Sequence, residues 1–263
     1  MDLACSIGIC LLLLTVSVAY GVRFAFAGAA HHARVEAEGR SALMSKSVME
    51  MLVWCIQPVV VALAKLGITA NAVTYASLAL GLTSGAALAT GHFGIGALLA
   101  LAAAGGDAID GLLARYLKTS SAGGEVLDAA VDRYVDFAFV AGLAVHFRAD
   151  AAMLVLALLA LQGGFMVSYS TAKAEALRVA PPRGSMRRVE RAALLIGAAT
   201  VTPIAALFGP EPKDLPILLA LGAIAVLGNL SAIQRLATTR AVVREREGRP
   251  APPQDEVAQR AAE

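Results

Sequence analysis

The sequence predicts an all-α integral membrane protein: a six-helix transmembrane bundle, a preceding interfacial helix, and an extra N-terminal transmembrane helix. Three observations carry this. Of the 263 residues, 58% are hydrophobic, and the mean hydropathy is +0.69. Only 16% are charged, where an ordinary soluble domain has about 25%. The apolar runs are rich in Ala, Leu, Val and Gly with few Pro, and they lack the alternating segments of about ten residues that mark a barrel.

The first run, Leu3–Tyr20, is long enough to span, since about 20 residues cross the hydrocarbon. Ala25-Phe26-Ala27 mimics a signal-peptide cleavage site, but the start MDLAC has no basic region before the apolar run. The cations Arg23 and Arg34 follow the span instead. The positive-inside tendency therefore predicts a signal-anchor helix with its N-terminus outside. Residues 31–48 are polar and mixed in charge, a cytoplasmic linker. The next stretch, MEMLVWCIQPVVVALAK at 49–65, is short and interrupted by Gln57-Pro58. It predicts a helix lying in the interface, with a kinked span as the alternative.

Six spans follow, at roughly 71–90, 94–118, 125–147, 151–177, 189–208 and 215–237. If each crosses once, the Arg115–Lys118 turn, the region 173–191 (Lys173, Arg178, Arg183, Arg187, Arg188, Arg191) and the tail after Arg235 share one side. The connections near 92, 149 and 212 (the last being GPEPKDL) share the other, with only Arg148 and Lys213 as cations. The basic side is then cytoplasmic, which in a bacterial cell faces inward across the inner membrane. The expected organisation is an anchor at 1–30, a linker at 31–46, one catalytic domain at 47–237, and a polar disordered tail at 238–263 containing Pro252-Pro253. Cys5, Cys10 and Cys55 have no metal-like spacing and read as structural thiols. His31-His32 reads as a solvated loop, with no third ligand nearby.

Against this apolar background stands GGDAIDGLLARYLKTSSAGGEVLDAAVD at 105–132. Carboxylates at membrane depth are expensive and mark function by default. Asp107, Asp110, Gly111, Ala114 and Arg115 share one helical face, and Gly124, Asp128 and Asp132 share another. A short turn, Thr119–Gly123, makes the two helices antiparallel neighbours. Asp110 lies about two turns before its helix ends and Asp132 about two turns into the next, so the two acidic faces can meet at similar depth. Four clustered carboxylates repel, and Arg115 and Arg133 are too few to offset them. Hard oxygen ligands suit Mg²⁺ or Mn²⁺ shared with substrate phosphates. A pair of such ions would clamp a phosphoryl group. Gly111 and Gly124 would let a bulky ligand or another helix approach the backbone. The alternative is structural salt bridging between helices. Asp136, one turn past Asp132, stands either behind the cluster or as an arginine partner.

Written out, Asp107-x2-Asp110-Gly111-x2-Ala114-Arg115-x8-Gly124-x3-Asp128-x3-Asp132 resembles the signature of the CDP-alcohol phosphotransferases, with every fixed position present. GITANAVT at 67–74 resembles the family's motif before its first span, with Ala70 replacing the usual Pro. The resemblance extends over about 47–237; the span at 3–20 departs from the common pattern. It implies a CDP-linked lipid donor, usually CDP-diacylglycerol, an acceptor alcohol, and CMP as product. It also implies two metal ions held by Asp107, Asp110 and Asp128, with Asp132 helping to hold the second and taking the acceptor hydroxyl proton. Gly111, Ala114, Arg115 and Gly124 would line the cytidine and diphosphate site. Members are often homodimers, and no nucleic-acid partner is expected.

SYSTAKAEA at 168–176, RRVERAALL at 187–195 and AIQRLATTR at 232–240 resemble the bacterial phosphatidylinositol-phosphate synthase branch. In that branch, matching cations, here Lys173, Arg188 and Arg191, line an inositol-phosphate pocket. Lys173 stands where Arg is usual, Arg187 where Glu is, and Val189 where Pro is. Lysine is a point charge and not a bidentate fork, so phosphate grip would differ. A phosphorylated acceptor needs such cations near the metals. Serine or ethanolamine would not, whereas glycerol 3-phosphate would fit as well. The same cations could instead meet only lipid head groups. Two other classes compete. An aspartate-rich prenyltransferase would place its acidic motifs on distant helices. A divalent-cation transporter would place them near the midplane in broken helices.

Overall fold

The computed structural model describes residues 1–28, 46–180, 184–209 and 214–248. Most of the linker with His31-His32, Arg183, the PEPK part of the 209–215 loop, and the tail with Pro252-Pro253 lie outside the described residues. The described chain is α-helical throughout: α1 (Asp2–Ala27), α2 (Lys46–Lys65), α3 (Ala70–Ala89), α4 (Phe93–Tyr116), α5 (Ala122–His146), α6 (Ala151–Ala176) and α7 (Arg188–Ala205). A final rod comprises α8 (Leu215–Ala223), one π turn (Ile224–Gly228) and α9 (Asn229–Glu247). Seven described stretches are long and apolar enough to cross a membrane. They include α1 and Ser47–Lys65, so by length and composition α2 qualifies as a span as well as an interfacial helix. α5 is not among them because it carries Glu125, Asp128, Asp132, Arg133 and Asp136, although its 25 residues match its neighbours in length.

Local chemistry sets the helix starts. Thr69 accepts a hydrogen bond from Ala72 N at the head of α3, Ser121 from Gly124 N at α5, and Asp150 from Met153 N at α6. α1 docks in a way its apolar composition did not announce. Asp2 Oδ1 accepts from Ile95 N at 2.9 Å, so the first residue of α1 caps the start of α4. The two helices therefore start at the same end. Further along, Tyr20 donates to Glu50 and packs its ring, tilted by 55°, beside Trp54 of α2.

The main core joins α1 and α3–α8 through Ile9, Leu88, Phe93, Leu143, Ile217 and Leu221, separated by small residues such as Ala97, Ala100, Ala157 and Ala199. Small residues let helices approach closely where lipid supplies no hydrophobic drive. A satellite cluster of Val60, Val73 and Leu113 ties α2, α3 and α4 together near the acidic end. α3 is the central partner, packing extensively on both α4 and α5. Contrary to the antiparallel pairing predicted for α4 and α5, those two touch little. They splay on either side of α3, and the wedge between them opens as a cleft.

The α3–α5 crossing is backbone to backbone. A Cβ on Gly85 would strike the carbonyl of Ala138, and one on Gly142 would strike the carbonyl of Gly85. Neither neighbour is a side chain that can turn away. Gly142→Val should therefore push α3 off α5, costing about 1–3 kcal/mol or more, and should lower the detergent-solubilised thermal midpoint; an unchanged midpoint would show that the crossing yields.

One boundary is corrected. The tail expected to be disordered from 238 is helical to Glu247. Its Ala, Arg and Glu residues favour helix. Arg246 also donates to the carbonyls of Leu177 and Arg178 at 3.2 and 3.1 Å, satisfying the end of α6.

Candidate active site

α4 presents Asp107 and Asp110, and α5 presents Asp128, across the wedge. One carboxylate oxygen from each lies within 4.8 Å of the others. Asp110 is 5% exposed and is held by Thr74 of α3, whose hydroxyl donates to Asp110 Oδ2 at 2.6 Å. Three hard-oxygen ligands converging from two helices, one oriented by a third helix, suit a divalent cation. Asp132 stands outside this triad, one turn along α5.

A cleft of about 380 Å³ opens beside the triad. Its walls include Asn71 and Thr74 of α3, Gly111, Ala114 and Arg115 of α4, and Gly124 and Asp128 of α5. Among the described residues, no other helix presses on the two glycines. The nearest atom to a Cβ on Gly111 would be Arg115 Nη2 at 3.5 Å, and on Gly124 it would be Ser121 Oγ at 3.3 Å. The ligand-space reading of these glycines thus fits better than helix packing. The sequence motif at 67–74 also gains a physical role: Gly67 turns at φ 71°, Thr69 caps α3, and Thr74 reaches Asp110.

The three basic residues divide. Arg188, at the first turn of α7, enters the acidic cluster. Its Nη1 lies 2.7 Å from Asp107 Oδ2, and its Nη2 lies 2.8 Å from Asp132 Oδ1. Arg191, 5% exposed, pairs with Asp136 at 2.7 Å and donates to Met186 O at 2.8 Å. Asp136 is thus an arginine partner. Lys173 is exposed at the end of α6. The expectation that the cluster lacks matched cations is corrected, because Arg188 arrives from 81 residues away. It does not remove the case for metal. Asp132 Oδ1 remains buried without a hydrogen bond; among the acids, Asp107, Asp132 and Asp136 pair with Arg188 or Arg191, and Arg133 lies 3.9 Å from Asp132.

Arg235 of α9, within the AIQRLATTR stretch, has a role that its sequence neighbourhood does not show. It is 6% exposed, and it donates to Thr171 Oγ1 at 3.0 Å and to the carbonyls of Gly184 and Ser185 at 3.2 and 3.3 Å. It fixes the segment leading into α7, and so the height of Arg188 and Arg191.

Comparison with known proteins agrees with this geometry. Residues 67–233 match the family model described as CDP-alcohol phosphatidyltransferase. A search of curated proteins gave no match. Among solved structures, the chain is similar to the Mycobacterium tuberculosis phosphatidylinositol phosphate synthase PgsA1. Its complex with manganese and citrate is 26% identical with a TM-score of 0.63, covering 70% of this chain and 88% of that one. The same synthase with CDP-DAG bound gives 26% identity and a TM-score of 0.62, covering 70% and 92%. Its apo form gives 27% and 0.59, covering 69% and 94%.

Proposed function

Because the chain belongs to the CDP-alcohol phosphatidyltransferase family, we propose that it moves a phosphatidyl group from CDP-diacylglycerol to an alcohol, releasing CMP, in a reaction that depends on two divalent cations, Mg²⁺ or Mn²⁺. The observation that carries this is the Asp107–Asp110–Asp128 triad opening onto the polar cleft of Gly111, Ala114, Arg115 and Gly124. The similar PgsA1 structures with manganese and with CDP-DAG support both the metal and the donor.

Asp107, Asp110 and Asp128 would hold the cations, with Asp132 completing the second site. When bound, the cations would neutralise the diphosphate and the departing CMP. Thr74 keeps Asp110 aimed inward. Gly111 and Gly124 leave backbone open to the nucleotide, and Arg115 offers its guanidinium beside Gly111. Asp132 would accept the proton of the acceptor hydroxyl as that oxygen attacks phosphorus.

Inositol phosphate is the acceptor favoured here, with glycerol 3-phosphate as the alternative. The support is the similarity to PgsA1 and the cations gathered near α7. Of Lys173, Arg188 and Arg191, the two arginines pair with aspartates, and only Lys173 is exposed. The active site would face the cytoplasm at a bacterial cell membrane, in one domain spanning 47–237, with the enzyme working as a homodimer.

CMP release by the purified protein with CDP-diacylglycerol, screened against inositol phosphate, inositol, glycerol 3-phosphate and serine, tests this reading. Pyrophosphate release from a prenyl diphosphate instead, or metal flux in liposomes without CMP, would reject it. Lys173→Ala should raise KM for a phosphorylated acceptor about tenfold, the scale of one charge-assisted hydrogen bond, and leave KM for the donor unchanged; an unmoved acceptor KM removes Lys173 from the pocket.

A further inference from the structure

Arg188 lies among the acids it was expected to stand beside. One guanidinium spans three carboxylates drawn from two helices: Asp107 at 2.7 Å, Asp132 at 2.8 Å, and Asp136, whose Oδ1 is 3.5 Å from Nε. Only the first contact is aligned as a hydrogen bond. Asp132 Oδ1 and Arg188 Nε are both buried without a hydrogen-bond partner. The arginine therefore offsets charge at the Asp132 end of the cluster without satisfying its geometry.

We propose that Arg188 is a tethered counter-ion that holds Asp107 and Asp132 while the cluster carries no divalent cation, and that it must release them when one binds. This rests on the reading of the aspartates as metal ligands. Two physical points support it. Clustered carboxylates at low dielectric need a cation. A guanidinium at hydrogen-bond distance from Asp107 Oδ2 would also repel a dication brought onto the same oxygens, strongly so where water is scarce. The chain thus competes with its own metal for the Asp132 end of the site. Asp132 becomes available to a hydroxyl proton only after Arg188 has left.

The surroundings favour a side-chain swing over a helix shift. Arg191, one turn along α7, is fixed by Asp136 and by Met186 O at 2.7 and 2.8 Å. The segment before α7 is pinned by Arg235 and by Ser231, which donates to Ser185 O at 2.8 Å. Asp136 Oδ1, beside Nε, gives the released guanidinium an anchor that is not among the proposed ligands.

The test is Mn²⁺ titration of the purified full-length protein without substrates, read by electron paramagnetic resonance, for wild type, Arg188→Gln and Arg188→Lys. Arg188→Gln should bind Mn²⁺ tighter by about tenfold, the low end of effects from residues around metal ligands. Its metal-free thermal midpoint should fall, and its Mn²⁺-induced rise should grow, because tighter binding to the folded state stabilises it more. A purely structural arginine would lower the midpoint without tightening Mn²⁺ binding. Arg188→Lys keeps one charge but cannot bridge three acids, and should fall between the two. Equal or weaker Mn²⁺ binding in Arg188→Gln overturns the proposal; if that variant does not fold, affinity in Arg188→Lys at or below wild type does so. Absence of saturable Mn²⁺ binding in the wild type would overturn the metal reading of the aspartates and this inference with it, so the two failures are distinguishable.

Discussion

Asp132→Asn should retain the fold and bind Mn²⁺ within a few-fold of wild type, yet lose turnover by about 10²–10⁴-fold, the usual contribution of a general base. The substitution is isosteric. It removes the ability to accept a proton while leaving the Asp107–Asp110–Asp128 triad intact, since Asp132 lies outside it. CMP release and Mn²⁺ binding, measured on the same preparation, separate the two effects. A wild-type rate of CMP release would reject Asp132 as the base. Parallel loss of binding and turnover would make it chiefly a ligand.

Asp128→Asn should behave differently. Asp128 is the one triad member supplied by α5, so it closes the triad across the wedge. Losing its charge should weaken Mn²⁺ binding by on the order of 100-fold or more, at least the cost of disturbing residues that only support metal ligands. Turnover should fall with it and recover in part at high Mn²⁺. The metal-free protein should melt no earlier than wild type, because a like-charged neighbour of Asp107 and Asp110 has been removed. Unchanged Mn²⁺ affinity, with or without activity, would remove Asp128 from the site.

The acidic half of the site was legible because it is local. Asp107, Asp110, Asp128 and Asp132 fall at helical spacings on consecutive helices, and spacing alone places each pair on one face. The limits of α3–α7 were legible to within a few residues for the same reason, whereas α1 runs seven residues past Tyr20, the end of its apolar run. What spacing could not show is which helix lies between which. Periodicity made α4 and α5 neighbours, whereas the close approaches of Gly85 to Gly142 on α5 and of Ser77 to Gly106 on α4 explain why α3 sits against both. The contacts of Arg188 with Asp107 and of Arg235 with the 184–185 segment were invisible for a related reason. They join distant helices, and an arginine near a cytoplasmic helix end is expected from topology alone. Thr74 lay within a motif that was noticed, but its partner 36 residues away depends on the α3–α4 packing. The polar end of α9 was misjudged because composition ignores capping, and Arg246 supplies a cap to another helix.

The π turn at Ile224–Gly228 has a bearing on insertions and deletions. It seats opposite Gly163, and Asn229 spans it, donating to Ala225 O at 2.7 Å and to Leu159 O at 3.1 Å. A π turn accommodates roughly one residue more than an α turn. Removing one residue there would let the rod close into regular α-helix, the spare residue of the turn absorbing the loss while the helix beyond keeps its phase. The α-helical stretch between this turn and Arg235 has no such slack. A residue lost from it would rotate everything beyond by about 100°, and Arg235 would swing away from Gly184 and Ser185. The π turn is therefore the place where the rod can change its length by one residue without disturbing the basic side of the site.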